Sequence, residues 1–158
     1  MNTKIRLSLL SLWLGMMAFF SFVVAPSAFV ALPEANLAGH VVSTVLSRTE
    51  LIGIALGVIL LIFLFASREQ TGKQFLFELI ALLAMTFSMI LSHFVISRRL
   101  REMRVKFGGG VDFIPASDPA RAAFDQLHQI SVGLMTLVMI AALVLIVALL
   151  RRNNSSRY

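Results

Sequence analysis

Few side chains in this sequence could do chemistry. The histidines are His40, His93 and His128, and two methionine pairs stand four residues apart, Met85 with Met89 and Met135 with Met139. Imidazole binds copper and iron, and thioether sulfur favours Cu(I). A carboxylate among apolar residues, Glu78, could carry a proton or hold a cationic group. Each has a plainer reading beside it. Methionine fills irregular apolar gaps. His128 can hydrogen-bond Asp125 or Ser131, and Glu78 can snorkel to the membrane surface or pair with Lys73. The chain has no cysteine, which excludes disulfides, thiolate metal sites, cysteine nucleophiles and c-type haem attachment. It carries no phosphate loop, nucleophile triad or zincin motif, and no catalytic residue is assigned.

The elements that position these residues follow from composition. The 158 residues include 14 Lys and Arg against 8 Asp and Glu, a net charge of +6; 58 % are apolar and 14 % charged. Mean hydropathy is +0.88. Soluble domains carry about 45–50 % apolar and about 25 % charged residues. A soluble domain and a disordered chain are both excluded. Charge is costly in a bilayer core, so charge-free runs mark spans. Four such runs predict spanning helices over 7–31, 50–67, 74–97 and 126–150. The expected architecture is all-α: one membrane domain over 1–158, an integral four-helix bundle with antiparallel neighbours. The first run is longer than a signal-peptide core, so it is read as a span. Pro26 is read as a kink within it.

The connections carry their own signals. Leu37, Ala38, Val41, Val42, Val45 and Leu46 recur at helical spacing, which predicts a short amphipathic helix on the membrane surface between the first two spans. Arg98, Arg99, Arg101, Arg104 and Lys106 are expected to continue the third span as a basic helix beyond the membrane. They would serve as a topology anchor or, on the cytoplasmic side, attract anionic headgroups. Gly108, Gly109 and Gly110 should end that helix. Asp118 before Pro119 reads as an N-cap and first turn. Gly53 and Gly57 in the second span permit close helix approach, and Gly15 in the first offers a similar contact. Lys and Arg are split seven to seven between the two sides. The first helix often sets orientation, so both termini are expected in the cytoplasm.

Two polar stripes stand out. Glu78, Ala81, Met85, Ser88, Met89 and Ser92 share one face of the third span, with His93 at its edge. Arg121, His128, Met135 and Met139 share one face of the fourth. At ~1.5 Å per residue, Met89 lies about 6 Å deeper than His93, and Met135 about 10 Å deeper than His128. An even number of spans puts His40, His93 and His128 on one side of the membrane. The candidate ligand or metal residues are therefore His128, His93, His40, Met85, Met89, Met135 and Met139. Copper or haem b are the cofactors they would suit.

The residues also carry a family resemblance. Trp13-Leu14-Gly15, the run Phe19 to Pro26, Phe29, Leu32-Pro33 and Ala38-Gly39 resemble the opening of a bacterial family of unknown function related to human transmembrane protein 205. Arg98, Arg101 and Met103, then Phe124 to Ser131, resemble its later part. The resemblance implies a four-helix membrane protein of the bacterial inner membrane without established chemistry. It also implies a distant similarity to the copper-resistance D membrane domain and to the membrane-bound, haem-associated protoporphyrinogen oxidase. His128 is the histidine that falls on a matching position. The human relative's link to platinum-drug resistance suggests soft-metal handling.

The leading expectation is a small non-catalytic membrane protein that binds or helps move a small ligand or soft metal near His128. A haem-binding redox module and a membrane assembly partner, dimeric through the first or second span, are the alternatives. The lipid bilayer is its expected partner. Nucleic acid is not, because the basic residues flank spans and lack an aromatic reading surface.

Overall fold

The computed structural model describes residues 3–66, 72–107, 111, 114–115 and 117–155, with side chains described to Arg152. Four helices are long and apolar enough to cross a membrane: α1 (Thr3–Ala31), α2 (Ala35–Ala66), α3 (Lys73–Lys106) and α4, which runs from Pro119 to Ser155. Among the described residues there is no strand. α1 packs on α2 and α4, and α3 packs on the same two, closing a four-helix bundle.

Each helix outruns the apolar run that predicts it. A 32-residue helix such as α2 is about 48 Å long, against a hydrocarbon core of about 30 Å. The stretch expected as a separate surface helix is instead the start of α2, unbroken from Ala35 to Ala66. Nothing between residues 46 and 50 breaks a helix, and continuing one costs less than nucleating another. The basic segment likewise continues α3, to Lys106. At the start of α4, Ala120 N–H donates to Asp118 Oδ1 at 2.7 Å and Pro119 occupies the first turn. The glycine run 108–110 lies outside the described residues.

Two helices are locally widened. Phe20–Val24 in α1 and Ser92–Ser97 in α3 wind as π-helix. In α1 the cause is at hand. Pro26 has no N–H to give the Phe22 carbonyl, and the turn before it opens, yet the helix continues to Ala31.

Trp13, Met17, Leu60, Leu82, Met85, Met89, Val138 and Leu145 form the core of the bundle. Gly53 and Gly57 face this core. A Cβ at Gly53 would stand 3.0 Å from Trp13 Nε1, and one at Gly57 would stand 3.1 Å from the same ring, with the Thr86 side chain closer still. Gly15 lies on the outer face, with no atom within 4 Å of its Cβ position. Large apolar side chains also cover the outside, among them Phe22, Phe65, Phe87 and Phe94. Water would not tolerate so broad an apolar surface, whereas lipid does.

Candidate functional site, an intramembrane cleft

A cavity of about 440 Å³ opens at the end of the bundle where α3 finishes and α4 begins. All four helices contribute to its wall. α1 gives Phe20, Ser21, Phe22, Pro26 and Phe29; α2 gives Val42, Ser43 and Leu46; α3 gives Ser97, Leu100 and Arg104; α4 gives His128, Ser131, Val132, Met135, Thr136 and Met139. Both π-helical segments reach it, through Phe20, Ser21 and Phe22 on one side and Ser97 on the other. Phe22, Pro26 and Phe29 from α1 and Val132 and Thr136 from α4 are exposed lining residues, so the cleft opens sideways between those helices.

A second cavity of about 180 Å³ adjoins it, sharing Phe29, Arg104 and His128. Its wall is mixed, with Asn36, Arg121 and Asp125 beside Ala35, Val111 and Phe124. Arg121 Nη1 donates to the Val111 and Ile114 carbonyls at 3.1 and 3.0 Å, and Nε lies 4.0 Å from Asp125. Arg104 leaves the basic cluster and turns into the protein. Its Nη1 donates to the Gly39 carbonyl, and its guanidinium carbon sits 5.5 Å from the centre of the Phe124 ring. Gly39 makes room for it, since a Cβ there would stand 3.3 Å from Arg104 Cζ. The rest of the cluster behaves differently. Arg98 pairs with Glu102 at 3.1 Å on the surface, Arg99 and Lys106 are exposed, and Arg101 faces Ser43, Ser47 and Arg48.

Next to the cleft lies a carboxylate that sequence reasoning missed. Glu50 is 1 % exposed. Ser92 Oγ donates to its Oε1 at 2.5 Å and Ser97 Oγ donates to the same oxygen at 2.8 Å. His93 Nδ1 lies 3.2 Å from Oε2. In a regular α-helix, residues five apart diverge by about 140°. The i to i+5 winding of Ser92–Ser97 brings both serines round to Glu50. Glu50 sits at the edge of the second charge-free run, so counting charges made it a boundary. The unbroken helix makes it an interior residue. The available signal was the trio Ser92, His93 and Ser97 on the facing span.

The other anticipated residues are dispersed. His40 is exposed on an early turn of α2. Met85 and Met89 are in the core, while Met135 and Met139 line the cleft. Ser21 Oγ donates to Met135 Sδ at 2.9 Å. The expected stripe on α3 is largely its buried face, but the stripe on α4 faces the cleft. The buried seat on α4 is Phe124, Ser131, Val138, Ala142, Leu145 and Leu149. Met135 and Met139 also pack, partly buried, against the core that holds Met85 and Met89. Glu78 is buried at the opposite end of the bundle, where Arg6 Nη2 donates to Oε2 and Arg152 Nη1 stands 3.5 Å from Oε1.

Among the described residues no group of three or more His, Asp or Glu stands close enough to hold a metal ion. Of the three histidines, His128 faces the cleft, and Met135 lies two turns below it on the same helix. His128 shares the cleft wall with Met135 and Met139, whereas His93 is engaged by Glu50 and His40 is exposed, an arrangement that does not fit a haem held by two imidazoles.

Residues 8–107 match the family model described as a domain of unknown function, DUF4149. The chain belongs to the DUF4149 family. The match covers α1, α2 and α3, and so contains Glu50, both π-helical segments and Arg104. An uncharacterised protein of Aquifex aeolicus (strain VF5) is 46 % identical over 77 residues, which is 48 % of this chain and 54 % of that protein. The chain thus matches about half the length of this curated relative. No solved structure matches. This DUF4149 protein is an integral membrane protein with four candidate spans.

Proposed function

We propose that this DUF4149 protein binds a small, mainly apolar ligand within the bilayer, in the cleft between α1 and α4, with the ligand's polar end at His128. The observation that carries this reading is the convergence of both π-helical segments on one cleft with His128 on its wall. A π-helical turn gives up regular hydrogen bonding and recurs at functional sites. A cavity of about 440 Å³ is within the usual size of a small-molecule site. Its wall is largely apolar with a few placed polar groups, as such sites are.

The reading includes a bacterial inner-membrane location with both termini in the cytoplasm, supported by Lys4 and Arg6 ahead of the first span. It also takes 1–158 as one domain. The wider kinship with human transmembrane protein 205 and the copper-resistance D membrane domain rests on the residue resemblance alone. His93 is taken up by Glu50, His40 is exposed and the cleft wall is largely apolar, so an organic ligand is preferred.

The test is identification of what co-purifies. Protein is purified in mild detergent, wild type beside Met135→Trp, and organic extracts are compared by mass spectrometry. A small molecule near one per chain in the wild type and depleted in the variant supports the reading. Identical extracts, with the variant folded, overturn it.

A further inference from the structure

We infer that the ligand of this cleft is an anionic amphiphile: one hydrocarbon chain with a carboxylate or phosphate-monoester head. This rests on the proposed ligand site and adds the ligand's chemistry.

The two cavities form one site with two characters. The larger compartment takes Phe20, Phe22, Leu46, Val132, Met135 and Met139 into its wall, a surface that suits a hydrocarbon chain. The smaller one is mixed in character, and its charged wall groups are Arg104, Arg121 and Asp125. Asp125 faces Arg121 at 4.0 Å, so one cation offsets it. Among the described residues, Arg104 is then the cation at the junction with no carboxylate paired to it, and it lines both compartments beside His128. Its bonding is to a neutral carbonyl, that of Gly39, and its stacking is on a neutral ring. Neither neutralises the guanidinium. A carboxylate or phosphate completes a forked, charge-assisted pairing there.

Geometry supports the same order along the ligand. Arg104 and His128 are close to the ends of α3 and α4 that meet the polar connection, while Met139 is about 16 Å deeper than His128 along α4. The head therefore sits at the membrane surface and the chain runs inward. The sideways opening at Phe22, Phe29 and Val132 admits a chain from the lipid phase.

The probes are a fluorescent polyene fatty acid and its methyl ester, titrated into protein in nonionic detergent at neutral pH. The acid is expected to bind at one per chain and about tenfold or more tighter than the ester. Arg104→Gln should abolish that preference and leave ester binding in place. Met135→Trp should weaken both. Equal affinity of acid and ester in the wild type, with both lost in Met135→Trp, overturns the anionic head and leaves the cleft reading standing. Binding of neither probe being altered by Met135→Trp overturns both. If Arg104→Gln also loses the ester because α3 has parted from α2, the wild-type ratio of acid to ester decides alone, and a ratio near one sinks the proposal. Inorganic phosphate that displaces the acid completely at equal concentration would show a free-anion site and overturn the amphiphile. Weak competition supports it.

Discussion

Ser97 stands between Glu50 and the cleft: its hydroxyl donates to Glu50 Oε1 at 2.8 Å, and the same side chain forms part of the cleft wall. Ser92 donates to the same oxygen at 2.5 Å, and cleft residues on α3 do not include it. The pair separates two roles. Ser92→Ala and Ser97→Ala should each cost about 1.5–3 kcal/mol, because each removes one bond to a buried carboxylate. Probe affinity in the cleft should change for Ser97→Ala and stay level for Ser92→Ala. Thermal unfolding in detergent together with probe titration checks both. Equal changes in binding would mean that the serines act only through Glu50.

Glu50 itself holds α2 to α3 through three side chains from one widened turn. Glu50→Ala leaves two buried hydroxyls without their acceptor and should cost about 2–4 kcal/mol. Glu50→Gln keeps an acceptor oxygen and the volume, so it should cost less than half as much. The ordering of melting temperatures, wild type above Gln above Ala, is the measurement. A melting temperature for Glu50→Ala equal to wild type would remove the staple.

The cluster of Arg6, Glu78 and Arg152 joins α1, α3 and α4 at the far end. Removing one partner of a buried pair leaves an uncompensated charge, so Glu78→Gln should destabilise by about 3–5 kcal/mol. Arg6→Met combined with Glu78→Leu should recover much of this, and the cycle of single and double variants measures the coupling. Ligand binding should be unaffected in folded protein, since 19 residues of α3, about 28 Å, separate Glu78 from Ser97.

Gly57 and Gly15 make a paired comparison. A methyl group at Gly57 meets Thr86 and Trp13, so Gly57→Ala should cost about 1–3 kcal/mol through overpacking. A methyl at Gly15 meets nothing within 4 Å. Gly15→Ala should therefore be neutral or stabilising by up to about 1 kcal/mol, because alanine loses less backbone entropy in a helix. Equal destabilisation by both would show that Gly15 packs on something outside the chain.

The spans, the Asp118–Pro119 start and the basic extension of α3 are legible in the sequence because each depends on neighbours along the chain. A bilayer sets the length of a charge-free run, and a cap needs residues two or three apart. The same counting misplaced Glu50 at an edge, since a charge ends an apolar run whether or not the helix continues. What the tertiary structure alone decided is which polar groups meet. Glu50 reaches Ser97 across 47 positions, Arg6 reaches Glu78 across 72, and Arg104 reaches Gly39 across 65. Helical periodicity carries no information about such pairings. A regular wheel also loses its register at Ser92–Ser97, where the wider turn rotates everything after it, and so the largely basic helix from 98 to 106 turns one arginine, Arg104, into the site.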